Sequence, residues 1–519
     1  MSTDVPDSTL SVTETKMGNA TAVLTPVLGL MVPMVWCSVV TSLVLAVCTL
    51  AWRLRYSAMK DPASSLPLPP GSLGWPIVGE TVQFVVQGAQ FYVDHFKRYG
   101  PIYKTHLLGS PTARVSGAEH LHHLLNSEPQ SLTMKLPGSV RHMMGKASLV
   151  TSKGDDHVRM KKIILEAFTT TRLSDYLPCV QQNTQRRIKS WCGQGRILGF
   201  QACEQLIVDL VLELVLGCRL ENDRDGSVRK AVMTINNNLF CVPLNIPGGG
   251  FYKASKARAI ISEFVLRRLA DKGDKEHVSM LEVFLAAHHT EVGAAGKGAG
   301  QGLTAEEIVD NAISLMIAGT GTTSGALCCL LLLLGQHPEV VEEIREELNT
   351  AGLLSPDGPG ELSYDVLQTL EFTQSVIKES LRLHTPAGGA FRKAEKPLEV
   401  AGYHIPKDWT VVYSIRDTHK SSKVFKDVSE FKPSRWQDAE LSERLHRENP
   451  CHYMPFGRGP RACVGKALAT MEMTVFLVEL CRLATFELHN PDADMVFLPV
   501  TKPADDLPVT FYARKEKSN

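Results

Sequence analysis

The sequence predicts a mainly α-helical protein with small β-sheets, preceded by one N-terminal transmembrane helix. Three observations carry this reading. Helical periodicity dominates from about 157 to 285, as in the stripe Ile207, Leu210, Val211 and Leu214. A charge-free stretch, 312–334, follows a helix-start signal. Strand patterns are confined to short runs near 102–115 and 398–415, each bounded by turn residues.

The chain has 519 residues, enough for a large core or several domains. Its 55 basic and 55 acidic side chains balance, so no nucleic-acid partner is expected. Twelve cysteines are scattered without a Cys-x-x-Cys, and the one close pair, Cys328 and Cys329, is vicinal. That argues against a zinc ribbon or a secreted disulfide framework and for reduced thiols facing the cytosol.

Residues 1–20 are rich in Ser and Thr with no apolar period, and 1–27 are expected to be disordered. No charge occurs between Lys16 and Arg53, and 28–52 is long and apolar enough to anchor the chain in a bilayer. Pro26 and Pro33 lie near its start, where they cost least. A cleaved signal peptide is the alternative, but the run is too long and too far from residue 1. Arg53, Arg55 and Lys60 follow the run, whereas Asp4, Asp7 and Glu14 precede it. The positive-inside rule then puts the body in the cytosol. Residues 53–71 form a basic, Pro-rich linker that includes Leu66-Pro67-Leu68-Pro69-Pro70-Gly71. Residues 72–519 read as one large domain.

Within that domain, 102–107 and 112–115 read as a hairpin turned by Gly109-Ser110-Pro111. A Pro/Gly break at 245–251 separates two helices, and 293–302 holds five glycines and reads as a flexible loop. Thr304 and Glu307 make a capping box for a helix of about 32 residues. Its apolar run would pass as a second membrane span. The polar segment Gly319-Thr320-Gly321-Thr322-Thr323-Ser324 at its centre favours a buried helix crossing the globule. Gly and Thr there can loosen the backbone ladder into a groove for dioxygen and water, with Thr322 as a proton-delivering hydroxyl. A bend that merely packs is the plainer alternative.

Near the C-terminus stands Phe456-Gly457-Arg458-Gly459-Pro460-Arg461-Ala462-Cys463-Val464-Gly465, followed by a helical pattern from Lys466. Glycines let a loop approach a flat, bulky group. Backbone N–H donors, a helix N-terminus and the Arg461 cation favour a thiolate at Cys463. These are the needs of a cysteine that ligates haem iron. A free cysteine in a turn is the alternative. Upstream, Glu379 and Arg382 share a helix face, and Phe431-Lys432-Pro433-Ser434-Arg435 follows.

The pattern Phe-x-x-Gly-x-Arg-x-Cys-x-Gly resembles the haem-thiolate loop of the cytochrome P450 family. Glu-x-x-Arg, Phe-x-Pro-x-Arg and the Gly/Thr helix resemble its other motifs, in the family's order, over 66–515. The resemblance implies the cytochrome P450 fold and a haem b cofactor with Cys463 as axial ligand, its loop including Phe456, Gly457 and Gly465. Arg461 and Arg392 would meet the propionates, joined by His157 and Lys161 where many members carry Trp and Arg. A solvated basic face around Lys161 is the alternative. Glu379, Arg382 and Arg435 would form a buried triad. Thr320, Gly321 and Thr322 would form the oxygen-activation segment, although Gly321 stands where the family carries an acid. The family further implies electrons from NADPH, carried by the FAD and FMN of a partner NADPH–cytochrome P450 reductase. It also implies a single-pass place in the endoplasmic reticulum membrane.

Several longer stretches look like the retinoic acid hydroxylase group. These include Ile102-Tyr103-Lys104-Thr105-His106-Leu107, Gly389-Ala390-Phe391-Arg392, Asp417-Thr418-His419 and Pro503-Ala504-Asp505-Asp506-Leu507-Pro508. The implied substrate is a lipophilic small molecule such as all-trans retinoic acid, met by Leu136, Arg141, Ile317, Ala318, Ala387, Gly388, Pro499 and Val500. Leu136 replaces a Trp common in that group. A sterol or fatty-acid hydroxylase remains an alternative. So does an isomerase or dehydratase of the same fold that needs no reductive oxygen activation, a possibility Gly321 raises. A non-catalytic haem or retinoid binder and a multi-span membrane protein are the other readings.

Overall fold

The computed structural model describes residues 20–58, 61–62, 64–128, 130–217, 226–270, 279–293, 302–354 and 362–514. The chain divides into two compact units, residues 1–61 with 75–77, and residues 62–74 with 78–519.

The first unit is dominated by one helix, Ala20–Ala58. Its segment Met34–Tyr56 is long and apolar enough to cross a membrane. Two expectations are corrected here. Residues 20–27 are helical rather than disordered, so Pro26 and Pro33 fall inside the helix and not at its start. Proline there removes a backbone hydrogen bond, a loss that membrane helices tolerate. The helix also takes up 53–58, which shortens the linker. Residues 1–19 lie outside the described residues.

In the second unit the Pro-rich stretch is docked rather than free. The Pro70 carbonyl accepts from Lys104 N at 2.7 Å, and the Pro67 carbonyl from His404 N at 2.8 Å. Lys104 Nζ donates to the Pro69 carbonyl at 2.6 Å. Proline supplies no N–H but keeps its carbonyl, and all three of these contacts use a proline carbonyl as acceptor.

The main sheet has five strands in the order Ile102–Leu107, Ser110–Val115, Thr410–Ser414, Gly389–Ala394, Leu132–Met134. The hairpin pairs Ile102 with Val115, and Ser110–Val115 runs parallel to Thr410–Ser414. Only Lys104 of the first strand is less than buried, so the sequence alternation does not mark a solvent face here. Both faces are covered. A three-stranded sheet joins Arg196–Leu198, Pro508–Ala513 and Ala484–Leu488.

Helices form the rest. The central one is Ala305–Gln336, opened by the Thr304–Glu307 capping box with both reciprocal bonds in place. It is largely buried and packs along Gly199–Leu216. It is therefore a core helix, apolar all round because protein surrounds it. The Gly/Thr segment does not break it. Thr320, Thr322 and Ser324 donate to the carbonyls of Met316, Ala318 and Thr320, and the helix runs on uninterrupted. The glycine-rich 293–302 falls mostly outside the described residues.

Candidate functional site

The Cys463 loop lies between the 3-10 turn Gly459–Arg461 and the helix Lys466–Leu483. Gly457 and Gly459 take φ of +68° and +78°, values that strain any other residue. Cys463 N donates to the Phe456 carbonyl at 2.9 Å, which closes the loop. The thiol is accessible although protein surrounds it. Burial pushes its pKa up, and the Gly465 backbone N–H pulls it down. At Gly465 an added Cβ would lie 3.9 Å from Cys463 Sγ and 4.0 Å from the Phe168 ring, in ordinary contact with both. An accessible thiol on a loop turned by two positive-φ glycines fits a flat group bound through its metal. Among the described residues no cluster of three His, Cys, Asp or Glu is placed to hold a bare metal ion. A cavity of about 790 Å³ borders Cys463, Phe456, Trp436 and Lys466, with no residue of 317–322 in its wall.

Behind the loop, Glu379 is fully buried and accepts five hydrogen bonds. Arg382 donates Nε to Oε2 at 2.8 Å and Nη2 to Oε1 at 2.9 Å. Arg435 Nε reaches Oε1 at 2.8 Å, Lys432 N reaches Oε1 at 3.0 Å, and Trp436 Nε1 reaches Oε2 at 2.9 Å. Burial alone would raise the carboxyl pKa, but the Arg382 hydrogen bonds and charge hold it below the ordinary value. The Glu379, Arg382 and Arg435 side chains expected to share a site therefore do. Trp436, a fourth member, sits one position past the Phe-x-Pro-x-Arg motif. Its indole also lies 4.5 Å from the Tyr453 ring, at the entry to the loop.

Three of the candidate propionate groups, Arg461, Lys161 and Arg392, hold protein partners. Arg461 donates to the carbonyls of Leu149 (3.0 Å) and Ser152 (2.5 Å). Lys161 donates to the Pro460 carbonyl at 2.6 Å. Arg392 is buried in an ion pair with Glu128, a residue no sequence pattern marked, and lies over the Tyr413 ring. His157 is buried, and burial with the nearby charges of Arg461 and Lys161 pushes it down to about 4. It is a neutral donor at pH 7, not a cation.

On the central helix, Ala318 is exposed and Gly321 and Thr322 half-buried in a helix otherwise enclosed. Val500 faces this segment, since a Cβ on Gly321 would lie 3.5 Å from Val500 Cγ1. One turn on, a Cβ on Gly325 would lie 2.9 Å from the Thr501 carbonyl. Thr501 in turn binds the Pro386 and Thr385 carbonyls. The structure thus brings 317–322, 386–388 and 499–501 together. Leu136 follows the edge strand Leu132–Met134, and Arg141 is exposed on the short helix Gly138–Met144. Sequence reasoning missed Glu472. It is buried on the helix after Cys463, and burial pushes its carboxyl up to about 8 beside the Thr323 hydroxyl. No local pattern distinguishes it from a surface acid.

The cytochrome P450 family model matches residues 69–504. Cytochrome P450 26B1 of Danio rerio is 36% identical over 495 residues, covering 93% of this chain and 94% of that protein. Cytochrome P450 26A1 of Xenopus laevis is 35% identical over 493 residues, covering 91% and 98%. Among solved structures, cyanobacterial CYP120A1 with retinoic acid bound superposes with a TM-score of 0.78 at 28% identity, covering 87% of this chain and all of that one. With a matching family model across most of its length and relatives above 30% identity, the chain belongs to the cytochrome P450 family of haem monooxygenases.

Proposed function

We propose that this protein is a haem-thiolate monooxygenase that hydroxylates a retinoid carboxylic acid, all-trans retinoic acid being the first candidate. The observation that carries the substrate class is the fold's match to a structure holding retinoic acid. Similarity to the two 26-type relatives points the same way. Cys463 would ligate the haem iron in this reading, with Phe456, Gly457 and Gly465 shaping its loop. Arg461, Arg392 and Lys161 would hold the propionates by sharing their present carbonyl and carboxylate partners, and His157 would join them as a neutral donor. Bound haem supplies reductive dioxygen activation and oxygen insertion into an unactivated C–H bond.

The chain's own residues do the rest. Glu379, Arg382 and Arg435 fix the segment that leads into the loop. Thr322 keeps its hydroxyl proton on the Ala318 carbonyl, so delivering it toward the reacting centre requires rotation of the hydroxyl. Leu136, Ile317, Ala318, Ala387, Gly388, Pro499 and Val500 offer apolar or small surfaces to a polyene. Arg141 is the cation for its carboxylate. Residues 28–52 anchor the protein in the endoplasmic reticulum membrane with 72–519 in the cytosol, where NADPH–cytochrome P450 reductase supplies electrons through FAD and FMN. Phe240, Val242, Leu244 and Ile246 are exposed and suit a lipid surface.

The test is spectral titration of the purified full chain with all-trans retinoic acid, a sterol and a fatty acid. A substrate-type shift with retinoic acid at the lowest concentration is expected. A shift with sterol or fatty acid alone would move the substrate class. A second reading, an isomerase or dehydratase, rests on Gly321. It predicts turnover of a hydroperoxide with no need for NADPH.

A further inference from the structure

His419 lies in the helix Ile415–Ser421 and is fully buried, yet nothing in the mechanism above uses it. Its Nδ1 is 3.3 Å from the Arg382 carbonyl and 3.2 Å from Thr385 Oγ1. Thr385 already donates its hydroxyl to the Leu381 carbonyl at 2.7 Å. Both neighbours are therefore acceptors toward the ring, and the proton sits on Nδ1. Nε2 is left as an acceptor, and Met454 N donates to it at 3.0 Å. Burial holds the imidazole pKa down at about 3, so this one tautomer persists at neutral pH.

The two ends of this bridge are the two halves of the site. Arg382 is the residue whose guanidinium clasps Glu379. Met454 begins the loop. Its carbonyl accepts from Gly457 N at 2.9 Å, and the Phe456 carbonyl accepts from Cys463 N at 2.9 Å. The Tyr453 ring stacks on the imidazole with centroids 5.5 Å apart, and the Tyr453 hydroxyl donates to the Lys378 carbonyl at 3.1 Å. A buried Met454 N–H with no acceptor would carry the penalty of an unmade hydrogen bond.

We propose that His419 is a positioning residue for Cys463, its imidazole bridging the Arg382 carbonyl to the Met454 amide so that the order of the Glu379 network passes into the loop. The proposal rests on Cys463 being the iron ligand.

The test compares the full-length protein with His419→Phe, which keeps a ring against Tyr453 but makes neither hydrogen bond, and His419→Gln, which restores an acceptor at the position of Nε2. Two quantities are read. One is hydrogen exchange at the Met454 and Lys432 amides. The other is the share of the reduced, CO-bound protein showing a thiolate-type spectrum. The phenylalanine variant should exchange Met454 roughly fivefold to tenfold faster, the effect of losing one hydrogen bond. Lys432, held by Glu379, should stay protected, the thiolate-type share should fall, and glutamine should restore both readings. If the phenylalanine variant does not fold, His419→Asn replaces it, because asparagine keeps the Nδ1-side donor but cannot reach Met454. Unchanged Met454 exchange and spectrum would overturn the proposal. So would a glutamine variant no better than phenylalanine, or equal loss of protection at Lys432, which marks a general loosening. If the wild-type protein shows no thiolate-type spectrum, it is the Cys463 reading that fails, and exchange at Met454 still judges the bridge.

Discussion

Replacing Glu379 tests the support beneath Cys463 most severely. Alanine would leave the guanidiniums of Arg382 and Arg435 buried without a counter-charge, at 1% and 9% exposure. Breaking one side of a buried pair costs about 3–5 kcal/mol. A domain has roughly 5–15 kcal/mol in total, so much of its stability is at stake. Glutamine is the sharper probe. Three donors converge on Oε1 and two on Oε2. The less costly orientation puts the amide nitrogen at the Oε2 position, against Arg382 Nε and Trp436 Nε1. Two hydrogen bonds are then lost at about 1–3 kcal/mol each. Chemical denaturation should show that loss, and the thiolate-type CO spectrum should weaken in step. The pH dependence has a definite sign. Because the folded carboxyl titrates below its unfolded value, its contribution is complete at neutral pH. It is lost only as pH falls below the ordinary carboxylate range. A glutamine variant within about 1 kcal/mol of wild type, with an unchanged spectrum, would refute the argument that this charge holds the loop.

Other expectations follow from the same geometry. Gly321→Ala should be neutral or stabilising by up to about 1 kcal/mol, since its Cβ meets Val500 at an ordinary distance and alanine favours helix. Gly325→Ala should destabilise instead, because its Cβ would press on the Thr501 carbonyl; paired thermal melts decide both. Glu472, held at about 8 in the fold, binds a proton that the unfolded chain has released, so wild-type stability should fall as pH rises from about 4.5 to 8. Glu472→Gln should flatten that slope in melts recorded across the range. Removing residues 1–61 should leave a body that folds in solution without detergent, since the apolar central helix is core. Cutting on to residue 71 should lower its melting temperature, because three carbonyl contacts to Lys104 and His404 go with it.

The local signals were strong where chemistry and chain order coincide. The capping box at Thr304, the hairpin at 102–115, the Glu-x-x-Arg helix and the Cys463 loop stand where the sequence puts them. What escaped was whatever depends on partners far away in the chain. The strands Leu132–Met134 and Gly389–Ala394 are short and pair with each other and with Thr410–Ser414, far away in the chain. Glu128 meets Arg392 across 264 positions, and His419 meets Met454 across 35. Neither pairing has a local pattern. The Gly/Thr segment shows the opposite failure. Its composition foretold a loosened ladder, but the hydroxyls bond back to the helix's own carbonyls, and buried packing keeps the turn regular.

The proposed function is oxygen insertion into a retinoid acid, with Cys463 as the residue that would hold the haem. The most direct measurement is turnover of all-trans retinoic acid under labelled dioxygen by the full chain reconstituted with NADPH–cytochrome P450 reductase. The expected product is hydroxylated, NADPH-dependent and carries one labelled oxygen atom, and it is lost in Cys463→Ala. Product formed without NADPH from a hydroperoxide, or no product from retinoic acid at all, would contradict the proposed function.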